Sequence, residues 1–251
     1  MKVKNILVSQ PKPADIDKSP YGELAKKYNL KIDFHKFIKI EGIPAREFRK
    51  QRISILDHTA VIFTSRNSVD HFFNIAKEMR VEIPDEMKYF CITESTALYL
   101  QKYVQYRKRK IFFGNQIFAQ LLDVIKKHKG EKFLLPCSDT VKPSMLKLLT
   151  DAGINYTKAV MYKTVPSDLS DVKINEYDML IFFSPSGVEA LFHNFPEYSQ
   201  AESLIATFGP STAKAVESHG LNLNINAPTK TAPSMTMAID QFMQELKKKK
   251  K

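Results

Sequence analysis

The chain carries one pattern twice, and that repetition limits its fold more than any other feature. Val61-Ile-Phe-Thr-Ser-Arg-Asn-Ser-Val-Asp-His-Phe-Phe73 returns as Leu180-Ile-Phe-Phe-Ser-Pro-Ser-Gly-Val-Glu-Ala-Leu-Phe192, and Cys91-Ile-Thr-Glu-Ser-Thr-Ala97 returns as Thr207-Phe-Gly-Pro-Ser-Thr-Ala213. Ile6-Leu-Val-Ser-Gln, followed by a helical stretch and Lys31-Ile-Asp-Phe, parallels Phe133-Leu-Leu-Pro-Cys, a helical stretch and Asn155-Tyr-Thr-Lys. A period of nearly half the chain marks a duplicated domain and not a solenoid, whose repeats run to about 20–50 residues. What recurs is an apolar strand, a Ser/Thr-rich turn and a helix.

Short apolar runs predict strands at 4–8, 31–40, 60–64, 89–93, 110–113, 132–136, 156–165, 179–183, 204–208 and 222–225. Helical spacing predicts helices at 19–29, 44–56, 67–79, 95–103, 115–129, 143–152, 186–194, 211–219 and 234–248. Continuously apolar strands alternating with helices imply parallel sheets covered on both faces. The fold class is therefore α/β, with two similar doubly wound, flavodoxin-like parallel-sheet lobes. Two segments depart from the pattern. Phe34-His-Lys-Phe-Ile-Lys-Ile40 and Thr157-Lys-Ala-Val-Met-Tyr-Lys-Thr-Val165 are long, occupy equivalent places in the two copies, and run into Gly42–Pro44 and Pro166. They are the candidates for straps joining two lobes.

At 251 residues with 43% hydrophobic content, the chain has enough apolar surface for one or two good cores. No run approaches the ~18 apolar residues of a membrane span, and the residues after Met1 lack the apolar stretch of a signal peptide. A soluble, cytoplasmic, monomeric protein with no membrane partner is expected. Cys91 and Cys137 have no paired spacing and read as buried, reduced thiols. Lys247 to Lys251 supply five of the +11 formal charges and read as a frayed, solvated helix end, leaving +6 for the body. That surplus suits an anionic small molecule. The one internal cluster, Arg107-Lys-Arg-Lys110, has no stacking aromatics interleaved with it, so nucleic acid is not an expected partner.

Chemistry is expected at the turns after the strands. In a parallel sheet the ligand lies at the carboxyl ends, where each turn opens a helix whose free N–H groups and dipole favour an anion. Ser65, Arg66 and Asn67 occupy one such turn, and Ser184, Ser186 and Gly187 occupy its copy. Ser95 and Thr96 pair with Ser211 and Thr212 at a second. Ser, Thr and Asn are also the ordinary helix caps, so capping alone accounts for any single turn. Four such turns on a duplicated scaffold, presented by two facing lobes, suggest more than capping. No GxGxxG, GxxxxGK[ST], GxSxG or HExxH occurs, and the six histidines are scattered without ligand spacing. The expectation is a protein with no cofactor and no metal.

Phe63-Thr-Ser65 with Val69, Phe182-Phe-Ser-Pro-Ser-Gly-Val188, Phe208-Gly-Pro-Ser-Thr-Ala213 and Met161-Tyr-Lys-Thr-Val165 together resemble the uroporphyrinogen-III synthase family over essentially the whole chain. Arg66-Asn67 stands where the family commonly has Pro-Arg, and Thr93 where it has Gly. The resemblance implies discontinuous lobes, with 1–37 and 166–251 forming the first, 42–160 the second, and 38–41 with 161–165 a two-stranded connecting ladder. Residue 37 would then neighbour residue 165 in an antiparallel pair. It further implies a cofactor-independent hydro-lyase whose substrate is hydroxymethylbilane, a linear tetrapyrrole polycarboxylate. Tyr162 matches the family's tyrosine and would assist departure of the substrate hydroxyl. A non-enzymatic two-lobed binding or sensor protein for an anionic ligand is the alternative.

Overall fold

The computed structural model describes residues 3–248. Along the chain run β1 (Asn5–Val8), α1 (Pro20–Tyr28), β2 (Lys31–Phe34), β3 (Ile38–Gly42), α2 (Ala45–Arg49), β4 (Ala60–Phe63), α3 (Arg66–Met79), β5 (Lys88–Cys91), α4 (Glu94–Tyr99) and β6 (Ile111–Phe113). There follow α5 (Phe118–Lys126), β7 (Phe133–Ser138), α6 (Pro143–Asp151), β8 (Tyr156–Pro166), β9 (Met179–Phe182), α7 (Pro185–Asn194), β10 (Leu204–Phe208), α8 (Pro210–Ser218), β11 (Ile225–Ala227) and α9 (Met235–Lys248). Of the terminal lysines expected to fray, Lys247 and Lys248 form the last turn of α9, and Lys249 to Lys251 lie outside the described residues. Among the described residues no helix is long and apolar enough to cross a membrane.

Two compact units share the chain: Met1–Lys39 with Val165–Lys251, and Ile40–Thr164. The first unit's sheet runs β11-β10-β9-β1-β2 and the second's β6-β5-β4-β7-β8, with β3 added beside β8. Pairing is parallel along both runs. Matching β9 to β4, β10 to β5 and β1 to β7 through the repeat gives both sheets the same order. Read outward from β2, the first sheet is the 2-1-3-4-5 arrangement of flavodoxin-like folds. The second has that arrangement with the chain entering in the middle of it, at β4.

Each central strand is buried along its whole length because both faces of its sheet are covered. In β4, Val61 and Phe63 face the core that includes Phe72 and Ile75 of α3. Ala60 and Ile62 face the opposite core, with Leu121 and Leu149. In β9, Leu180 and Phe182 pack with Val188 and Leu191 of α7, while Met179 and Ile181 pack with Ile239 of α9. Apart from Ala60, each such side chain contributes about 1.5–3 kcal/mol when fully buried. Cys91 and Cys137 are buried free thiols, and burial pushes them up to about 12 and about 11.

Two expected elements are corrected. The strand predicted over 31–40 is two strands: β2 pairs with β1 in the first sheet, whereas β3 belongs to the second. The break comes at His35–Phe37, where the Phe37 carbonyl turns to accept from the Ser167 amide at 2.8 Å. Where β3 ends, the Ile43 amide donates to the Met161 carbonyl at 3.0 Å. The helix predicted over 44–56 stops at Arg49, and Arg52 takes a left-handed φ of 56° ahead of a 3-10 turn at Ile55–Asp57. An apolar spacing of three to four residues survived there without a continuous helix to carry it.

Candidate active site

In a doubly wound sheet the ligand crevice opens where the strand order reverses, at the carboxyl ends. In the second unit that point lies between β7 and β4. Ser65 follows β4 and caps α3: its Oγ accepts from the Ser68 amide at 3.1 Å, while the Ser65 amide donates to Ser68 Oγ at 3.2 Å. The reciprocal bond satisfies one otherwise orphaned donor and fixes the turn. Arg66 and Asn67, the first two helical residues, are exposed. The Arg66 guanidinium lies 5.3 Å from the centre of the Tyr99 ring. Tyr99 in turn donates to Asp70 at 2.8 Å, joined there by Tyr103 and by Lys102 at 3.1 Å. Burial works to raise the Asp70 pKa, but these donors outweigh it and hold the carboxyl below its ordinary value.

Tyr162 stands on β8 opposite Ser138, the last residue of β7. Its side chain belongs to the second unit's core and the residue is only 7% exposed. One face of the ring stacks on His71 of α3, with centroids 5.0 Å apart and planes 24° from parallel. Burial raises the phenol pKa above its ordinary value, and the Ser65 hydroxyl acts in the opposite sense by hydrogen bonding. The structure thus brings Ser65 and Tyr162 together. Burial also lowers the His71 pKa, against the pull of Asp70.

At the second turn of this unit, Thr93 is the cap of α4, its Oγ1 accepting from the Thr96 amide at 3.1 Å. Ser95 is exposed, with its hydroxyl 3.0 Å from that of Thr93. Thr96 is buried, its hydroxyl 2.9 Å from the same Thr93 oxygen. A depression of about 250 Å³ lies beside this turn, walled by Thr93, Glu94, Ser95, Gly114, Asn115 and Gln116.

The first unit repeats the plan. Ser184 caps α7, its Oγ accepting from the Gly187 amide at 3.2 Å. Ser186 is half-buried and Gly187 buried. A Cβ on Gly187 would sit 3.5 Å from Ser184 Oγ and 3.6 Å from Ser9 Oγ, so the turns after β9 and β1 meet here. After β10, Gly209 adopts φ 94°, which suits glycine, and Pro210 opens α8. Ser211 is exposed. Thr212 is buried and donates to the Phe208 carbonyl at 3.1 Å.

Thr96 and Thr212 are thus buried, and their hydroxyls are engaged within their own turns. Thr212→Ala is expected to lower stability by about 0.5–1.5 kcal/mol, the net worth of one hydrogen bond, and to leave KM within about twofold. Thermal unfolding and initial-rate kinetics on the folded variant check this, and a large KM rise at unchanged stability would return Thr212 to direct binding.

Ser9, the Ser138–Asp139 turn, Asn115–Gln116 and His71 also lie at these turns or against Tyr162, and were not among the residues expected from the sequence. The Asp139 amide donates to the Tyr162 carbonyl at 3.2 Å and so fixes the strand that carries the phenol. A signal for His71 did exist: it stands opposite Ala190 in the repeat. Among the described residues no group of three or more His, Cys, Asp or Glu side chains could hold a metal ion.

The fold and these turns define a class: a duplicated flavodoxin-like α/β protein whose capped, hydroxyl-bearing turns gather at the carboxyl ends of each sheet. Within that class the family model described as uroporphyrinogen-III synthase HemD matches residues 20–237. The chain belongs to the uroporphyrinogen-III synthase family. Its fold is similar to that of uroporphyrinogen-III synthetase from Helicobacter pylori, at 18% identity and TM-score 0.57 over 96% of this chain and 99% of the other. It is likewise similar to a mutant uroporphyrinogen III synthase from the extremely thermophilic bacterium Thermus thermophilus, at 15% identity and TM-score 0.50 over 98% and 99%.

Proposed function

We propose that this protein is a lyase that closes hydroxymethylbilane to uroporphyrinogen III, with loss of water and inversion of ring D. The observation that carries the reading is the family match across residues 20–237. The hydroxyl of the substrate's terminal hydroxymethyl group leaves with a proton as water, and the electron pair of its pyrrole nitrogen forms an azafulvene. The substituted carbon of ring D attacks this carbon to give a spiro intermediate. Fragmentation, reclosure at the other ring D position and loss of a proton complete the type III macrocycle. Most of the catalytic task is positioning, because the unaided bilane closes to the type I isomer.

Tyr162 is the group assigned to the departing hydroxyl. Its raised pKa keeps the phenol protonated at neutral pH, as a donor and not a base. Ser65, Arg66, Asn67, Ser95, Ser184, Ser186, Gly187 and Ser211 are assigned to the substrate's carboxylates, through hydroxyls, helix N-terminal amides and one guanidinium. Residues 1–37 with 166–251 and residues 42–160 act as the two lobes, with 38–41 and 161–165 as their connecting strands.

The test is direct: purified protein is given hydroxymethylbilane and the isomers are separated by chromatography. Predominantly type III product is expected. Type I alone, with saturable binding of the bilane, would leave the protein a binder of an anionic ligand and overturn the assignment.

A further inference from the structure

We propose that His71 is a positioning residue for the reaction assigned above: its imidazole, wedged between Gly42 and the Tyr162 ring, sets the direction in which the phenol donates. The proposal rests on the role given there to Tyr162. Three observations carry it, all within the second unit or in the comparison of the two copies.

The first is the stack. With centroids 5.0 Å apart and planes within 24°, the imidazole covers one face of the phenol ring and blocks its swing toward α3. The second is the space on the far side. A Cβ at Gly42 would fall 2.8 Å from His71 Nδ1 and 3.1 Å from Cε1, so any larger residue there would force the imidazole to shift. The imidazole is held between strand and phenol, with Asn74 and Glu78 bordering the same open depression of about 310 Å³.

The third is an internal control that the duplication provides. Ile6 of β1 pairs with Ile32 and Met179, and Phe133 of β7 pairs with Tyr156 and Ala60. Tyr156 therefore stands where Ile32 does. The repeat likewise equates Ser65 with Ser184 and His71 with Ala190. The first unit keeps the capping serine yet has alanine in place of the imidazole. The scaffold keeps the serine at this place and does without the imidazole. Burial also lowers the His71 pKa, which keeps the ring neutral at neutral pH and puts no positive charge against the phenol.

The experiment compares His71→Ala, His71→Phe, Tyr162→Phe and the His71→Ala/Tyr162→Phe double variant in the full chain, by kcat, KM and isomer ratio. A misplacement of order 1 Å at a reacting group costs up to about a hundredfold, so His71→Ala is expected to lose about 10- to 100-fold in kcat with KM little changed. The product should also drift toward type I. His71→Phe restores a stacked ring and is expected to recover most of the loss. In the Tyr162→Phe background, His71→Ala is expected to cost nothing further, a result that a purely structural role would not produce. Gly42→Ala pushes on the imidazole without removing any functional group, and should reproduce the kcat loss even where His71→Ala folds poorly. The proposal is overturned if Tyr162→Phe is impaired while folded His71→Ala keeps parental kcat and product, if the two losses multiply, or if folded Gly42→Ala is unaffected. Parental activity in Tyr162→Phe would instead overturn the role of Tyr162 itself.

Discussion

Tyr162→Phe is expected to fold like the parent and to lose about a hundredfold to ten-thousandfold in kcat, the usual worth of a general acid. The ring remains, so its stack on His71 and its place in the core are preserved; only the hydroxyl beside Ser65 is lost. That hydroxyl sits in a largely buried position, so its removal changes the chemistry of one point and little else. Slowed enzymatic closure lets spontaneous closure compete, and the isomer mixture should shift toward type I. The measurement is kcat with product ratio, beside a thermal unfolding curve that confirms folding. Parental turnover with all-type-III product would take Tyr162 out of the mechanism and leave positioning as the whole explanation.

The largest effect on stability is expected at Phe63. Its side chain is fully buried, and its ring lies 5.5 Å from that of Phe72, 6.4 Å from Phe73 and 6.0 Å from Tyr89. Phe63→Ala removes the ring that joins β4, β5 and α3, and truncation at such a site costs about 3–5 kcal/mol. Native domains are stable by only about 5–15 kcal/mol, so the second unit should unfold at a much lower urea concentration. Because Phe63 ends the strand that leads to Ser65, activity should fall with stability even at low denaturant. A loss below about 1 kcal/mol in urea unfolding would show that the core closes around the gap.

The strand–turn–helix units were readable because parallel strands covered on both faces must be continuously apolar, as in Val61–Phe63 and Leu180–Phe182, and because the turns that follow need hydroxyl caps. Both features survive duplication and so appear twice. The places where reading failed have physical reasons as well. Residues 31–40 look like one strand because β-prone side chains continue through His35–Phe37, and the transfer to a second sheet depends on a distant carbonyl–amide bond to Ser167. That Thr96 and Thr212 are buried, with their hydroxyls held inside their turns, was not legible either, because it depends on where the cap falls. At the second turn of the second unit the cap is Thr93 and not a later residue. His71 passed as one of six scattered histidines, since its distance from Tyr162 in the chain hides a ring contact made across α3 and β8.

The order in which strands enter the two sheets has a consequence for synthesis. Strands β1 and β2 of the first unit leave the ribosome long before β9, β10 and β11, which complete their sheet, and the whole Ile40–Thr164 unit is made in between. At about 5–20 residues per second, the first two strands wait on the order of ten seconds with β1 lacking its β9 neighbour. The middle unit, all of whose own strands are contiguous, can close during that interval. A nascent chain stalled just far enough past residue 164 for the middle unit to clear the exit tunnel should therefore protect β4 and β7 from proteolysis while leaving β1 open to cleavage. It is in that window that the newborn protein is most dependent on holding factors.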